Sequence, residues 1–298
     1  MAELARNPLE NITAPAEVRL GKTGGRIREV SEQIIEIVSD SGEGAQSAGQ
    51  VFGTVCAKMG NGVWTVEIIP AEIQPPARSR EGASGIRIRF ATERVTNMGD
   101  HADLMVAFNE QVVYSRIDQG ALRPGTLLLI DDKWASHDDP RTQEEYANAL
   151  LDFRARGYDV LEIPIEEQTS KVTETPQRGK NMWVVGMLCA LYNRHLDRAK
   201  EEVRLLFQRK RKSEDVISMN YRLLDAGYSW GRENLQERFE MPTRPLTGRK
   251  VVMSGNAAVA MGCLAAGIEI CSMYPITPAT AATHYMSSVC HKAGGFIH

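Results

Sequence analysis

The chain contains no Cys-x-x-Cys pair. Its five cysteines, Cys56, Cys189, Cys263, Cys271 and Cys290, are scattered over 298 residues. That dispersal argues against the closely spaced thiolates that hold zinc or iron–sulfur clusters. They are expected to be reduced packing residues, in keeping with a cytoplasmic chain. The six histidines show no metal-ligand spacing, so no metal site is expected within this sequence. Charge of one sign is also lacking. With 35 Lys and Arg against 38 Asp and Glu, the net charge is -3, which gives no electrostatic case for nucleic acid or a membrane surface as partner. No uninterrupted apolar run approaches the roughly 20 residues that span a bilayer. The first 28 residues lack the apolar centre of an export signal.

Residues 1–29 mix prolines, glycines and charges and are expected to be an extension that wraps a neighbour or stays mobile. Gly21-Lys22-Thr23 is not a phosphate loop, because the pattern requires glycine where Ala16 stands and a strand before it. From Gln33 the pattern changes. The β-branched run Ile34, Ile35, Ile37 and Val38 predicts a strand, the turn Ser41-Gly42-Glu43-Gly44 follows, and a helix is expected over residues 45–59. With a strand over 63–69 this predicts a βαβ unit with a right-handed crossover. The exposed amides at the start of that helix make Gly42, Gly44 and Gln46 a candidate anion-accepting turn. Further strands are expected at 86–91, 104–108, 126–131 and 159–163, with helices near Asn109 and over 143–156. The fold class is therefore α/β, a doubly wound parallel sheet with helices on both faces. Residues 70–85, PAEIQPPARSREGASG, are too polar and proline-rich for a core element and are expected to be a surface loop.

Residues 179–228 carry apolar positions at helical spacing, among them Met187, Leu191, Val203 and Phe207, and are expected to be packed helices. The basic run Arg209 to Lys212 is assigned to a helix end, where cations favour the macrodipole. Residues 229–247, with Pro242 and Pro245, are expected to be a linker. That leaves domains at 30–228 and 248–298.

The stretch from Ser254 to Thr280 begins with a small-residue helix opened by Gly255-Asn256. It continues with Ile268 to Met273, expected to be a short buried strand, and ends in Tyr274-Pro275-Ile276-Thr277-Pro278. Two prolines bracket Thr277, fixing its backbone and biasing it toward extended conformations at the carboxyl end of that strand.

This YPITP run, with the glycine–alanine helix before it, resembles the start of the pyrimidine-binding domain of the 2-oxoacid:ferredoxin oxidoreductases. These are the thiamine-diphosphate enzymes that cleave 2-oxoacids with coenzyme A. The strand, the GEGAQSAG turn, the proline-rich loop and the strand IRIRF resemble the gamma domain of the same family, whose turn commonly reads Gly-x-Gly-Gly-Gln-Gly where this chain has Ala45 and Ser47 at two of the glycines. The resemblance implies an alpha-type subunit with a fused gamma domain (30–228), followed by the start of a pyrimidine-binding domain (248–298). It implies that Thr277 is catalytic, beside the substrate and the thiazolium, and that Tyr274, Pro275, Ile276 and Pro278 contact cofactor or substrate. The implied reaction is reversible oxidative decarboxylation of a 2-oxoacid, preferably 2-oxoglutarate from the domain order, with coenzyme A. It yields acyl-CoA and CO2 and passes electrons to ferredoxin. Thiamine diphosphate with Mg2+ and a [4Fe-4S] cluster would be held in a beta subunit, and alpha–beta pairs are expected to self-associate.

In the family an activating glutamate follows the YPITP turn, whereas residues 271–298 hold no Asp or Glu. The chain is accordingly expected to be the amino-terminal part of a longer subunit, or a subunit completed by another chain. The competing expectation is a non-catalytic binding or assembly protein that kept the fold.

Overall fold

The run Ile34 to Val38 does form a central strand, and the rest of the first unit is built around it. The computed structural model describes residues 26–70, 72, 75–245, 248, 251–276 and 279–294, with backbone alone at 18–20 and 293. The chain divides into two units, Met1–Leu246 and Thr247–His298.

In the first unit β1 (Val18–Leu20) and β2 (Arg26–Glu29) precede β3 (Glu32–Asp40), α1 (Ala45–Lys58), β4 (Gly62–Ile68), β5 (Ala83–Ala91) and β6 (Ala102–Ala107). Then come α2 (Glu110–Asp118), β7 (Leu122–Asp131), α3 (Pro140–Ala155), β8 (Asp159–Ile163) and α4 (Ile165–Ser170). The long helices α5 (Lys180–Leu191), α6 (Leu196–Arg209) and α7 (Glu214–Asn234) follow, and β9 (Glu237–Glu240) ends the series.

Six strands form one sheet in the order β4-β5-β3-β6-β7-β8. The pairs β3–β6, β6–β7 and β7–β8 are parallel, as the α/β pattern predicts. The expected adjacency of β3 and β4 is corrected: β5 lies between them, antiparallel to both. The physical reason lies in the 69–82 connection. It lets the chain turn back and insert a strand into the βαβ unit, something no periodicity in β3 or β4 encodes.

Alternation along the strands sorts side chains onto two faces, as a period of two requires. Ile35, Ile37, Ile86, Ile88, Phe90 and Val106 pack on one side with α1 and α5 to α7. Ile34, Val38, Met105, Leu128 and Ile130 pack on the other with Val112, Val113, Tyr146 and Phe153 of α2 and α3. The result is three layers, helix, sheet and helix. Helix α5 is buried along all but one of its 12 residues, as a helix apolar on every side must be. It meets α7 at very short range. A Cβ on Gly186 or Gly227 would collide with the backbone carbonyl of Leu224 or Trp183, so only glycine lets these helices approach that closely.

Two domain-edge expectations are corrected. β2, inside the supposed extension, pairs parallel with β9, inside the supposed linker, and β1 pairs antiparallel with β2. Helix α7 also runs through Asn234. The backbone groups of these polar segments find each other across about 200 residues of chain, a pairing invisible to local composition. Stacking of Phe239 on Tyr192, with centroids 5.1 Å apart, fastens this small sheet to the core.

The second unit holds α8 (Gly255–Ala265) and α9 (Ala279–Val289). Ser254 caps α8, its hydroxyl accepting from the Ala257 N–H at 3.2 Å. The expected strand Ile268–Met273 is not one: these residues carry no ladder, and Ile268, Ile270 and Met273 are exposed. A strand needs a neighbour to accept its hydrogen bonds, and the described residues of this unit supply none. The expected strand start at Gly295–Ile297 lies outside the described residues.

Candidate functional site

In the first unit the polar side chains converge at the carboxyl ends of β3, β6, β7 and β8, where open α/β sheets receive ligands. Burial there imposes a rule: every charge must find a partner. Lys180, the first residue of α5, is fully buried. Its ammonium lies 2.8 Å from Glu166 and 3.4 Å from both Glu43 and Asp131. The three carboxylates come from α4, from the turn after β3 and from the end of β7, so one ammonium ties three elements together. Lys133 shares Glu166 at 2.8 Å. The Glu166 N–H donates to Asp131 at 3.2 Å, and the Phe108 ring faces the Lys180 ammonium at 5.4 Å.

Three carboxylates against two ammonium groups leave the cluster acidic, and the proton affinities respond. Burial pushes Asp131 up to about 6 against the pull of Lys180. Burial likewise raises Glu43. For Glu166 burial also acts upward, but hydrogen bonds from Lys133 and Lys180 outweigh it and hold the group below its usual range. Burial works against the Lys180 charge, yet Asp131, Glu43 and Glu166 together raise its affinity. Asp131 and Glu43 therefore each bind a proton more readily than a free carboxylate would.

The glycine turn borders this cluster. Gly42 and Gly44 adopt positive φ of 93° and 86°. A Cβ on Gly44 would run into the Asn181 side chain, whose amide reaches the Gly44 carbonyl at 3.4 Å. Gln46 points elsewhere, donating to the Ile68 carbonyl at 3.3 Å and the Ser84 hydroxyl at 3.4 Å. The Gly44 side of the turn is thus packed by protein and flanked by Glu43, while Gly42 is exposed and a Cβ there would meet nothing. Through Gln46 and Asn181 the turn joins α1 to β4, β5 and α5. Beside it Asp40 accepts from Asn109 at 3.2 Å and from the Arg78 N–H at 2.8 Å. Asn109 itself caps α2, accepting from Gln111 and Val112.

In the second unit Tyr274, Pro275 and Ile276 form an exposed, irregular segment. Thr277 and Pro278 lie outside the described residues. Sequence reasoning missed the Lys180 cluster. One signal for it was present, an acidic residue closing the apolar run Leu127 to Ile130, but nothing local pairs Asp131 with a lysine 49 positions away.

Among the described residues no group of three or more His, Cys, Asp or Glu could hold a metal ion. Cys56 and Cys189 are sealed in the core, where burial raises both thiols, Cys56 to about 12, so neither suits thiolate ligation. Near Tyr274 to Ile276 the sequence supplies no carboxylate after Glu269. The described residues do not fit a complete thiamine-diphosphate, magnesium or iron–sulfur site. Among the described residues, too, no helix is long and apolar enough to cross a membrane.

Fold and site together define an α/β protein with a parallel-dominated sheet and a buried ionic cluster at its carboxyl edge. Residues 34–230 match the family described as pyruvate ferredoxin/flavodoxin oxidoreductase, and the chain belongs to that family. It is 29% identical over 274 residues to the 2-oxoglutarate oxidoreductase subunit KorA of Mycobacterium tuberculosis, covering 87% of this chain and 41% of that protein. It is 26% identical over 217 residues to the ketoisovalerate oxidoreductase subunit VorA of Methanothermobacter marburgensis, covering 71% of this chain and 39% of that one. Among solved structures it is similar to the 2-oxoglutarate:ferredoxin oxidoreductase of Magnetococcus marinus, solved with 2-oxoglutarate, coenzyme A and succinyl-CoA bound. The TM-score is 0.71 at 27% identity, covering 90% of this chain and 43% of that one. The chain thus spans about two fifths of the length of these relatives.

Proposed function

We propose that the chain is the gamma domain and the beginning of the pyrimidine-binding domain of a 2-oxoacid:ferredoxin oxidoreductase alpha subunit, with 2-oxoglutarate as its preferred substrate. The observation that carries this reading is the reach of the similarity. The first unit has 246 residues, so matches covering 87% and 90% of the 298-residue chain extend into the second unit, where YPITP stands. The preference for 2-oxoglutarate over a branched 2-oxoacid follows the longer and more identical match to KorA than to VorA.

In this reading the first unit is a rigid platform, and the reaction is oxidative decarboxylation with coenzyme A to acyl-CoA and CO2. Thiamine diphosphate, where the complete enzyme binds it, would supply the electron sink for the bond cleavage. Its magnesium and the [4Fe-4S] cluster are assigned to a beta subunit, since the described residues here do not fit them. Ferredoxin takes the electrons, and alpha–beta pairs associate further in the cytoplasm. Within the second unit, Thr277 donates a hydrogen bond to the substrate, and Tyr274, Pro275, Ile276 and Pro278 shape the wall around it.

The test is co-expression of the complete reading frame with its beta subunit, followed by coenzyme A-dependent reduction of a low-potential dye with 2-oxoglutarate, pyruvate and 2-ketoisovalerate. Fastest turnover with 2-oxoglutarate is expected. Faster turnover with another 2-oxoacid overturns the substrate assignment, and inactivity of a cofactor-loaded complex with all three favours an assembly role.

A further inference from the structure

Arg78 combines three features that an ordinary surface loop residue does not share. Its backbone sits at φ 49°, in the left-handed region. Among the described residues only Asn193 and Arg211 are other non-glycines with positive φ, and both directly follow helix ends, where that conformation is routine. Arg78 has no helix to terminate. Its side chain is also clamped. The guanidinium lies 4.8 Å from the centre of the Trp134 ring, ion-pairs with buried Glu110, reaches Glu145 at 3.2 Å and donates to the Thr142 hydroxyl at 3.2 Å. Yet the clamp is incomplete: Arg78 Nε and Glu110 Oε2 are both buried without a partner.

The neighbouring residues hold on weakly. Ser79 bonds to Pro76, and Gly82 and Ala83 bond back to Ser79 and Arg80, all within the segment. Outward, the Arg78 N–H reaches Asp40, while Arg80 pairs with Asp118 at 2.8 Å in an exposed bridge and faces the Tyr114 ring at 4.7 Å. An exposed bridge of this kind contributes little. Most of what fastens the segment to the domain is therefore one arginine, on a strained backbone, in a slot that leaves two buried polar atoms unpaired. Strain and unsatisfied polar groups persist where an alternative conformation is used.

We propose that Arg78 is the latch of a strap. The segment Pro75–Glu81 lies shut across the carboxyl edge of the sheet and releases as a unit before the domain unfolds, uncovering Asp40, Glu110 and the face of Trp134. The uncovered surface adjoins the Glu43, Asp131, Glu166 and Lys180 cluster through Asp40 and Asn109, so release opens that edge to solvent and to ligands. This inference does not depend on the proposed enzymatic function.

Amide hydrogen exchange on the complete chain in its assembled complex tests it. Residues Arg78 to Gly82 should exchange at least about tenfold faster than Ile86 to Phe90 of β5, because local release needs less free energy than global opening. Glu110→Gln should speed the strap by about another tenfold and leave β5 unchanged, whereas Glu145→Gln, at the exposed end of the slot, should change either by less than about threefold. Arg78→Gly keeps the turn conformation available while removing the whole side chain that carries the latch. It too should accelerate the strap alone, which guards against a Glu110 variant that loosens the whole domain. Protection of Arg78 to Gly82 equal to that of β5, or an Arg78→Gly strap as protected as the wild-type one, overturns the proposal.

Discussion

Glu36 and Arg87 stand directly opposite each other on the antiparallel strands β3 and β5 and close a fully buried ion pair at 2.7 Å. Arg116 of α2 completes the arrangement, reaching both oxygens of the same carboxylate at 2.7 and 2.8 Å. Arg87 then spends its remaining donors on the carbonyls of Gly99 and Asp100, at 2.9 and 2.8 Å, and on that of Ala121 at 3.3 Å. The inserted antiparallel strand is thereby tied to the loops that start β6 and β7.

Glu36→Ala should cost about 3–5 kcal/mol of stability, since it strands two buried guanidinium groups in the core. Urea denaturation of the variant measures it. A loss below about 1 kcal/mol would mean that water or rearrangement already satisfies both arginines.

Lys180→Met should be similarly severe, about 3–5 kcal/mol, because three carboxylates lose their shared cation. Adding Asp131→Asn and Glu43→Gln to Lys180→Met should recover a good part of that loss by removing the stranded charges. If the triple variant is no more stable than Lys180→Met alone, packing and not charge explains the cost.

Asp131 sets a pH dependence of stability. Its carboxyl rises from an ordinary 3.8 to about 6 in the folded chain, so the folded chain holds this proton more tightly than the unfolded chain does. The associated stability is fully present below about pH 4 and is lost as pH rises through about 6, on the order of 1–3 kcal/mol. Asp131→Asn should flatten this part of the profile. Parallel profiles for variant and wild type between pH 4 and 7 would exclude Asp131 as its source.

Gly44→Ala should destabilise by roughly 1–2 kcal/mol from the left-handed backbone alone, with a further cost from contact with Asn181. Asn181→Ala in the same chain should return the contact part only. Thermal melts of both variants separate the two contributions, and full recovery in the double variant would show that φ at Gly44 carries no cost.

Thr277→Val in the complete enzyme keeps shape and deletes the hydroxyl. Under the proposed function, losing one substrate hydrogen bond should lower kcat/KM about tenfold to hundredfold, or roughly 1–3 kcal/mol. Unchanged turnover with a lowered Tm would falsify the role assigned to Thr277.

The sequence by itself determined the α/β class, the six strands of the main sheet and the helices of the first unit other than α4, and the YPITP resemblance, because hydrophobic period and turn residues are local properties. Tertiary structure decided the rest. Whether β5 inserts beside β3, whether β2 finds β9, and whether Lys180 meets Glu43, Asp131 and Glu166 all depend on segments far apart in the chain. The failed strand at Ile268–Met273 makes the same point in reverse: a local apolar run is a strand only where another backbone accepts its hydrogen bonds. Burial alone turns Lys180, Glu36 and Arg87 from ordinary charged letters into obligatory partners, because a charge removed from water must be met by another.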